Sequence, residues 1–140
     1  MSEQNKALMR RWFEEVWNQG QANAIEEMFA SDGIAYGLTD ERQNFMRGPA
    51  DYKIFYHQYR EAFPDIHITI EDMIAEGDKV ATRCLVKGRH TGNSFGVTAT
   101  SAPISFEGVA ITRIKDGKIV EAWNYFDFAT MHRQLGSTNR

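Results

Sequence analysis

Apolar residues near the amino terminus recur with the spacing of an α-helix. Five large apolar residues fall at i, i+4, i+5, i+8 and i+9, namely Leu8, Trp12, Phe13, Val16 and Trp17. Charged residues occupy the opposite side, and Gly20 follows at the position where a glycine commonly ends a helix. The pattern predicts a first helix that packs one apolar face onto a core.

A short second helix and a long third helix follow. Asn23 is predicted to open the second helix with Glu26 as its capping-box partner, and Ser31-Asp32-Gly33 to end it before a short apolar strand. The third helix begins near Pro49 and cannot continue through Pro64. Its predicted stripe is entirely aromatic: Tyr52, Phe55, Tyr56, Tyr59 and Phe63.

From Ile66 onward apolar and polar residues alternate, which is the period of a β-strand. Turn residues at 76–79 and 115–118 divide this region. The predicted long strands start at Ile66, run from Val80 to His90 and from Ile104 to Ile114, and finish with Lys118 to Phe126. A closing helix is expected to begin at Asp127 and to end before Gly136.

Three helices, a meander of antiparallel strands and a closing helix predict an α+β domain over residues 1–136, with residues 137–140 as a tail. A curved sheet covered on one face by helices makes a cone with an aromatic interior. Both faces of the strand from Lys118 to Phe126 carry large apolar residues. We therefore expect a second copy of the chain to cover the outer face, giving a homodimer.

Composition and charge narrow the function classes. Sixteen Lys and Arg residues stand against nineteen Asp and Glu residues without a block of like charge, which argues against a nucleic-acid partner. No run approaches the ~20 apolar residues of a membrane span, and the amino terminus has no apolar signal core. The single cysteine, Cys84, has no zinc-site spacing with the histidines. We expect a cytoplasmic protein with no metal, no cofactor and no membrane partner.

Asp127 is the first candidate for chemistry. It follows Trp123, Tyr125 and Phe126 and precedes Phe128, and a carboxylate among aromatic rings is poorly hydrated, which raises its pKa toward neutrality. Such a group can exchange protons with a substrate near pH 7. The alternative is an N-cap of the closing helix, a position that Asp favours and that lowers the pKa.

His90 shares a strand face with apolar residues, and it is either an inward site residue or an ordinary core histidine. Tyr36 could donate a hydrogen bond to a ligand oxygen or simply pack. Cys84 is expected to be an inert core residue. Five aromatic residues are predicted to line a pocket for a bulky, flat, apolar substrate, although core packing is the alternative for each: Trp17, Phe55, Tyr59, Phe106 and Trp123.

The segment from Thr91 to Ser101 is rich in Gly, Ser, Thr and Asn around a single bulky residue, Phe95. Glycines give a loop the backbone freedom that a lid needs, so this segment is a candidate lid over the pocket. The alternative is an ordinary strand connection that bends at Gly96.

The order and spacing of several local motifs resemble the SnoaL-like polyketide cyclase (ester cyclase-like) family within the cone-shaped NTF2-like α+β fold. The motifs span nearly the whole chain: Phe13 to Gly20, Ala62 to Asp65, Glu76 to Val80, Gly88 to Gly92, Asp116 to Trp123, and Asp127. The resemblance implies a homodimer-prone domain with a pocket between helices and sheet.

The resemblance also implies a reaction. Cyclases of this kind close a ring by intramolecular aldol condensation without cofactor or metal, and they use an aspartate at the position of Asp127 and a histidine at that of His90. Where relatives often carry Asp-His, this chain has Ala35-Tyr36, which favours a non-catalytic ligand-binding module as an alternative. A second alternative is an isomerase or hydrolase of the ketosteroid isomerase or epoxide hydrolase type, because one fold serves many functions.

Overall fold

The computed structural model describes residues 2–38, 45–92 and 99–136. The helices are α1 (Ser2–Arg11), which continues into a π-helical segment (Trp12–Asn18), α2 (Ala24–Met28), α3 (Gly48–Ala62) and α4 (Phe128–Leu135). The strands are β1 (Phe29–Tyr36), β2 (Phe45–Arg47), β3 (His67–Glu76), β4 (Lys79–Arg89), β5 (Pro103–Lys115) and β6 (Lys118–Phe126). The predicted lid residue Phe95 and the predicted tail lie outside the described residues.

The strands form one six-stranded sheet in the order β2-β1-β6-β5-β4-β3. All neighbours are antiparallel except β1 and β6, which run parallel. The helices pack on one face of this sheet, and the predicted α+β class is confirmed. The single parallel pair arises because β1 follows the helices directly and enters the sheet beside the last strand of the meander.

The second helix differs from its prediction. It is only five residues long, and Asn23 makes no side-chain capping bond. The Ser31-Asp32-Gly33 segment, predicted as a helix end, lies inside β1 at a shift in the register between Phe29 and Ile34. Phe29 before this segment and Ile34 after it both pair with β6, so the tertiary contact on either side overrides the local turn signal.

The π-helical segment widens the end of the first helix. The backbone N–H of Gln19 donates to the carbonyl of Glu14, five residues back, at 2.8 Å. The wider turn still directs Trp12, Phe13 and Trp17 inward, and all three are buried. The aromatic stripe of α3 packs against them, since the rings of Trp17 and Tyr56 are 5.0 Å apart. Helices and sheet therefore meet across a mostly aromatic interface.

The segment after β4 holds the end of α3. The backbone N–H groups of Thr91 and Gly92 both donate to the carbonyl of Ala62 at 3.1 Å. A Cβ at Gly92 would overlap the carbonyl oxygen of Glu61, so only glycine permits this close approach. The start of the Thr91–Ser101 segment is therefore fixed against α3.

Candidate active site

A cavity of about 60 Å³ lies between the inner face of the sheet and the helices. Its wall is built mainly from aromatic and aliphatic side chains of α1, the π-helical segment, α3 and strands β1, β3, β4, β5 and β6. The lining residues that are only partly buried are Leu38, Asn124, Phe126 and Phe128, whereas the rest of the lining is buried. The cavity therefore opens where β6 passes into α4.

Buried hydroxyl groups interrupt the apolar wall. The Tyr52 hydroxyl accepts a hydrogen bond from Trp17 Nε1 at 3.2 Å, and the Thr112 hydroxyl donates to the Val80 carbonyl at 3.4 Å. Burial raises the pKa of Tyr52 and of Tyr59, so both phenols are neutral in the physiological range. Neutral phenols in a mostly apolar cavity can donate hydrogen bonds to a ligand oxygen.

Asn124 brings a side-chain amide to the partly exposed end of the cavity. Its Nδ2 donates to the carbonyl oxygen of Tyr36 at 2.9 Å, which ties β6 to the end of β1. Sequence reasoning missed Asn124 and Thr112 as cavity residues. The signal that identifies them is strand parity, because Asn124 alternates with Trp123, and Thr112 with Ile111.

Four of the aromatic residues predicted to contact substrate line this cavity together: Trp17, Phe55, Tyr59 and Phe106. They come from the π-helical segment, α3 and β5. All four side chains are at least nine-tenths buried, so the same rings also build the core. Their contact with a substrate stays a prediction, and their placement makes it possible.

Tyr36 and Trp123 do not line the cavity, which corrects their predicted placement. The two residues are register partners in β1 and β6, and their rings stack 6.2 Å apart with an interplanar angle of 16°. Their neighbours Ala35 and Ala122 are buried in the core. Because successive strand residues face opposite sides, the two aromatic rings lie on the outer face of the sheet.

Asp127 stands at the opening, in the chain between the lining residues Phe126 and Phe128, but its carboxylate is exposed. Oδ1 accepts from Thr130 N at 3.0 Å and Oδ2 from Thr130 Oγ1 at 2.6 Å. These bonds to Thr130 lower the pKa of Asp127, with a smaller contribution from the charge of Arg133. The prediction that Asp127 is poorly hydrated and has a raised pKa is therefore wrong. Asp127 is an ionised N-cap of α4.

His90 is fully buried but does not line the cavity. Its ring packs 5.5 Å from the ring of Phe63, and Nδ1 lies 3.2 Å from Thr100 Oγ1. Among the described residues Nε2 has no hydrogen-bond partner, and burial lowers the pKa of the ring. The imidazole is therefore held neutral beside α3. Its predicted catalytic role gains no support from its placement.

Three further predictions concern Cys84, metal binding and membrane insertion. Burial raises the pKa of the Cys84 thiol to about 12, which fits the expected inert core cysteine. Within residues 2–38, 45–92 and 99–136 no three His, Cys, Asp or Glu side chains come together as a metal site would require. None of the helices in the same described ranges is long and apolar enough to cross a membrane.

The sequence is similar to a known protein family and to individual relatives. The SnoaL-like polyketide cyclase family matches residues 7–135. Aklanonic acid methyl ester cyclase DnrD from Streptomyces peucetius is 28% identical over 130 residues, which cover 92% of this chain and 88% of DnrD. The corresponding cyclase AcmA from Streptomyces galilaeus is 28% identical over 137 residues, or 97% of this chain and 92% of AcmA.

Solved structures share the fold of this chain. AclR from Streptomyces galilaeus, described as a hydroxylase, superposes with a TM-score of 0.84 at 28% identity, covering 98% of each chain. IdmH from Streptomyces antibioticus gives a TM-score of 0.81 at 29% identity, covering 94% of this chain and 98% of IdmH. A protein from Catenulispora acidiphila with a ketosteroid isomerase-like fold gives a TM-score of 0.75 at 19% identity, covering 92% of each chain. The chain therefore belongs to the SnoaL-like polyketide cyclase family.

Proposed function

We propose that this protein is a cofactor-independent cyclase that closes a ring by an intramolecular aldol-type reaction on a hydrophobic carbonyl compound. The observation that carries the proposal is an apolar, aromatic cavity that opens beside an ionised aspartate, in a chain of a cyclase family. Relatives named as aklanonic acid methyl ester cyclases support a methyl ester as the substrate class.

Asp127 is the proposed base. Its lowered pKa keeps it ionised at neutral pH, so it can accept a proton from the carbon next to a substrate carbonyl. Both oxygens are bound to Thr130 while the carboxylate faces solvent. Turning the side chain toward the opening breaks these bonds, and because the bonds are what lower the pKa, the carboxylate becomes more basic where the substrate lies.

After proton removal, the reaction needs hydrogen-bond donors to the enolate oxygen and an apolar surface that binds the substrate. The enolate carbon attacks a second carbonyl carbon of the same molecule, so one C–C bond forms and the π bond of that carbonyl breaks. The resulting alkoxide takes the proton back from protonated Asp127, which restores the carboxylate. The Tyr52 and Tyr59 side chains line the cavity, and their hydroxyls, kept neutral by burial, are the proposed donors to the enolate oxygen. Trp17, Phe55 and Phe106 contact the part of the flat apolar substrate that enters the cavity, and the rest of the substrate extends through the opening.

The test is a product analysis in dialysed, EDTA-treated buffer with aklanonic acid methyl ester and a panel of hydrophobic keto esters. Ring closure gives a product of unchanged mass, a new retention time and a new C–C bond by NMR. Conversion of a steroid enone or hydration of an epoxide, with no reaction of any keto ester, would instead support the isomerase or hydrolase alternative. Binding without any turnover would support the ligand-binding module.

The outer face of the sheet supports the proposal that two copies associate. One row of register partners crosses all six strands there: Phe45, Tyr36, Trp123, Ile111, Ala81 and Ile74. Tyr125 extends this surface and is 66% exposed, while Ile74 is 64% exposed. Monomeric proteins rarely leave such a continuous apolar surface uncovered.

We expect the wild-type chain of 16.0 kDa to sediment as a dimer at micromolar concentration and Tyr125→Glu to sediment as a monomer. A carboxylate buried without a partner at an interface is strongly unfavourable. Ile54→Glu is the matched control, because Ile54 is 64% exposed on α3 rather than on the sheet. Dimers of Tyr125→Glu as tight as those of wild type would contradict the proposed interface.

A further inference from the structure

We propose that Asn124 Oδ1 selects substrates that carry a hydroxyl group at the end nearest the opening. This inference rests on the proposed function and specifies the substrate class: a mostly apolar compound with one phenolic or enolic O–H. Asn124 lines the cavity and is only partly buried, at the end where Leu38, Phe126 and Phe128 are also partly exposed. It therefore meets any ligand that enters through this end.

The orientation of the amide follows from its partner. A backbone carbonyl can only accept a hydrogen bond, so the atom facing Tyr36 O must be the amide nitrogen. The two amide atoms lie on opposite branches of a planar group, and the oxygen is directed away from Tyr36. In the described part of the chain no residue donates to Asn124 Oδ1. Asn124 thus offers the cavity an acceptor that is held in one orientation.

The Thr112 and Tyr52 hydroxyls in the cavity wall have hydrogen-bond partners that Asn124 Oδ1 lacks in the described part of the chain. The Thr112 hydroxyl already donates to Val80, and the Tyr52 hydroxyl already accepts from Trp17. Phenols can donate to a carbonyl, whereas Asn124 Oδ1 can only accept. A ligand that presents a carbonyl to the tyrosines and a hydroxyl to Asn124 satisfies both sets of groups. A ligand without that hydroxyl leaves a desolvated acceptor unpaired, which weakens binding.

The probes are p-cresol and toluene, which differ by one hydroxyl group. Binding is followed by the indole N–H signals of Trp12 and Trp17, both in the cavity wall, in NMR titrations. The measured quantity is the ratio of the toluene dissociation constant to the p-cresol dissociation constant. We expect Asn124→Leu to lower this ratio by about five- to tenfold, the value of one hydrogen bond. An unchanged ratio would overturn the inference.

Two further variants keep the test decisive. Thr112→Val removes a cavity hydroxyl that donates to Val80 O but whose oxygen can still accept from a ligand. The ratio should stay unchanged in this variant, and a fall as large as the one expected for Asn124→Leu would assign the ligand hydroxyl to Thr112 and overturn the inference. Asn124→Gln retains both a donor nitrogen for Tyr36 O and an acceptor oxygen, and it should keep the preference for p-cresol even if Asn124→Leu fails to fold. Loss of the preference in Asn124→Gln would overturn the inference. Because binding is measured without turnover, a preference for p-cresol in a protein that cyclises nothing would refute the proposed reaction and leave the role of Asn124 standing.

Discussion

Asp127→Asn should lower turnover of the cyclisation substrate by about 10²- to 10⁴-fold, the usual contribution of a general base. Asparagine cannot take the proton, but it caps a helix as well as aspartate does and can still accept from Thr130 N. The midpoint of thermal unfolding should therefore stay close to that of wild type. Rates come from the product assay, and unfolding from circular dichroism. Full turnover by Asp127→Asn would show that the base lies elsewhere.

The dependence of kcat/KM on pH tests whether Asp127 acts as the catalytic base or only as a helix cap. The pKa of Asp127 is lowered from its ordinary value of 3.8, so the free protein should lose kcat/KM only as the pH falls below that value. Thr130→Val removes the hydroxyl that donates to Oδ2, which is the largest cause of the lowered pKa. The acid limb should then move to higher pH. An acid limb that Thr130→Val leaves in place would assign it to another group.

Phe106→Ala should lower the free energy of unfolding by about 3–5 kcal/mol, because it removes a buried phenyl ring and leaves a void. Phe106 is 4% exposed, and its ring lies 5.8 Å from that of Phe128 at the opening of the cavity. The variant should also change the affinity for toluene, since the enlarged space belongs to the binding cavity. Urea unfolding and the indole titration measure the two effects.

Phe63→Ala is the matched control for Phe106→Ala. Phe63 is fully buried against His90 but does not line the cavity. The loss of stability should be similar, about 3–5 kcal/mol, whereas the Trp12 and Trp17 signals should titrate with wild-type affinity. If both variants change toluene binding alike, the effect of Phe106→Ala is general destabilisation and its role as a substrate contact is unsupported.

Much of the fold could be predicted from the sequence because its signals are local. The aromatic stripe of α3 between Pro49 and Pro64 and the period-two pattern of β4 each depend on neighbouring residues alone. The same holds for the N-cap alternative for Asp127, since the capping bond reaches only to Thr130. β1 was less predictable because a parallel partner 90 residues away in the chain stabilises it: Phe29 pairs with Ile119.

The placement of the site residues depended on tertiary structure. Period-two alternation shows that Ala122 and Trp123 face opposite sides of β6, but when both sides are apolar it does not show which side the helices cover. Only the packed structure puts Ala122 and Asn124 in the cavity and Trp123 with Tyr36 outside. The sequence by itself thus determined the elements and their amphipathic faces, because these follow from local periodicity. Tertiary packing decided which face encloses the cavity, because that choice depends on contacts between distant segments.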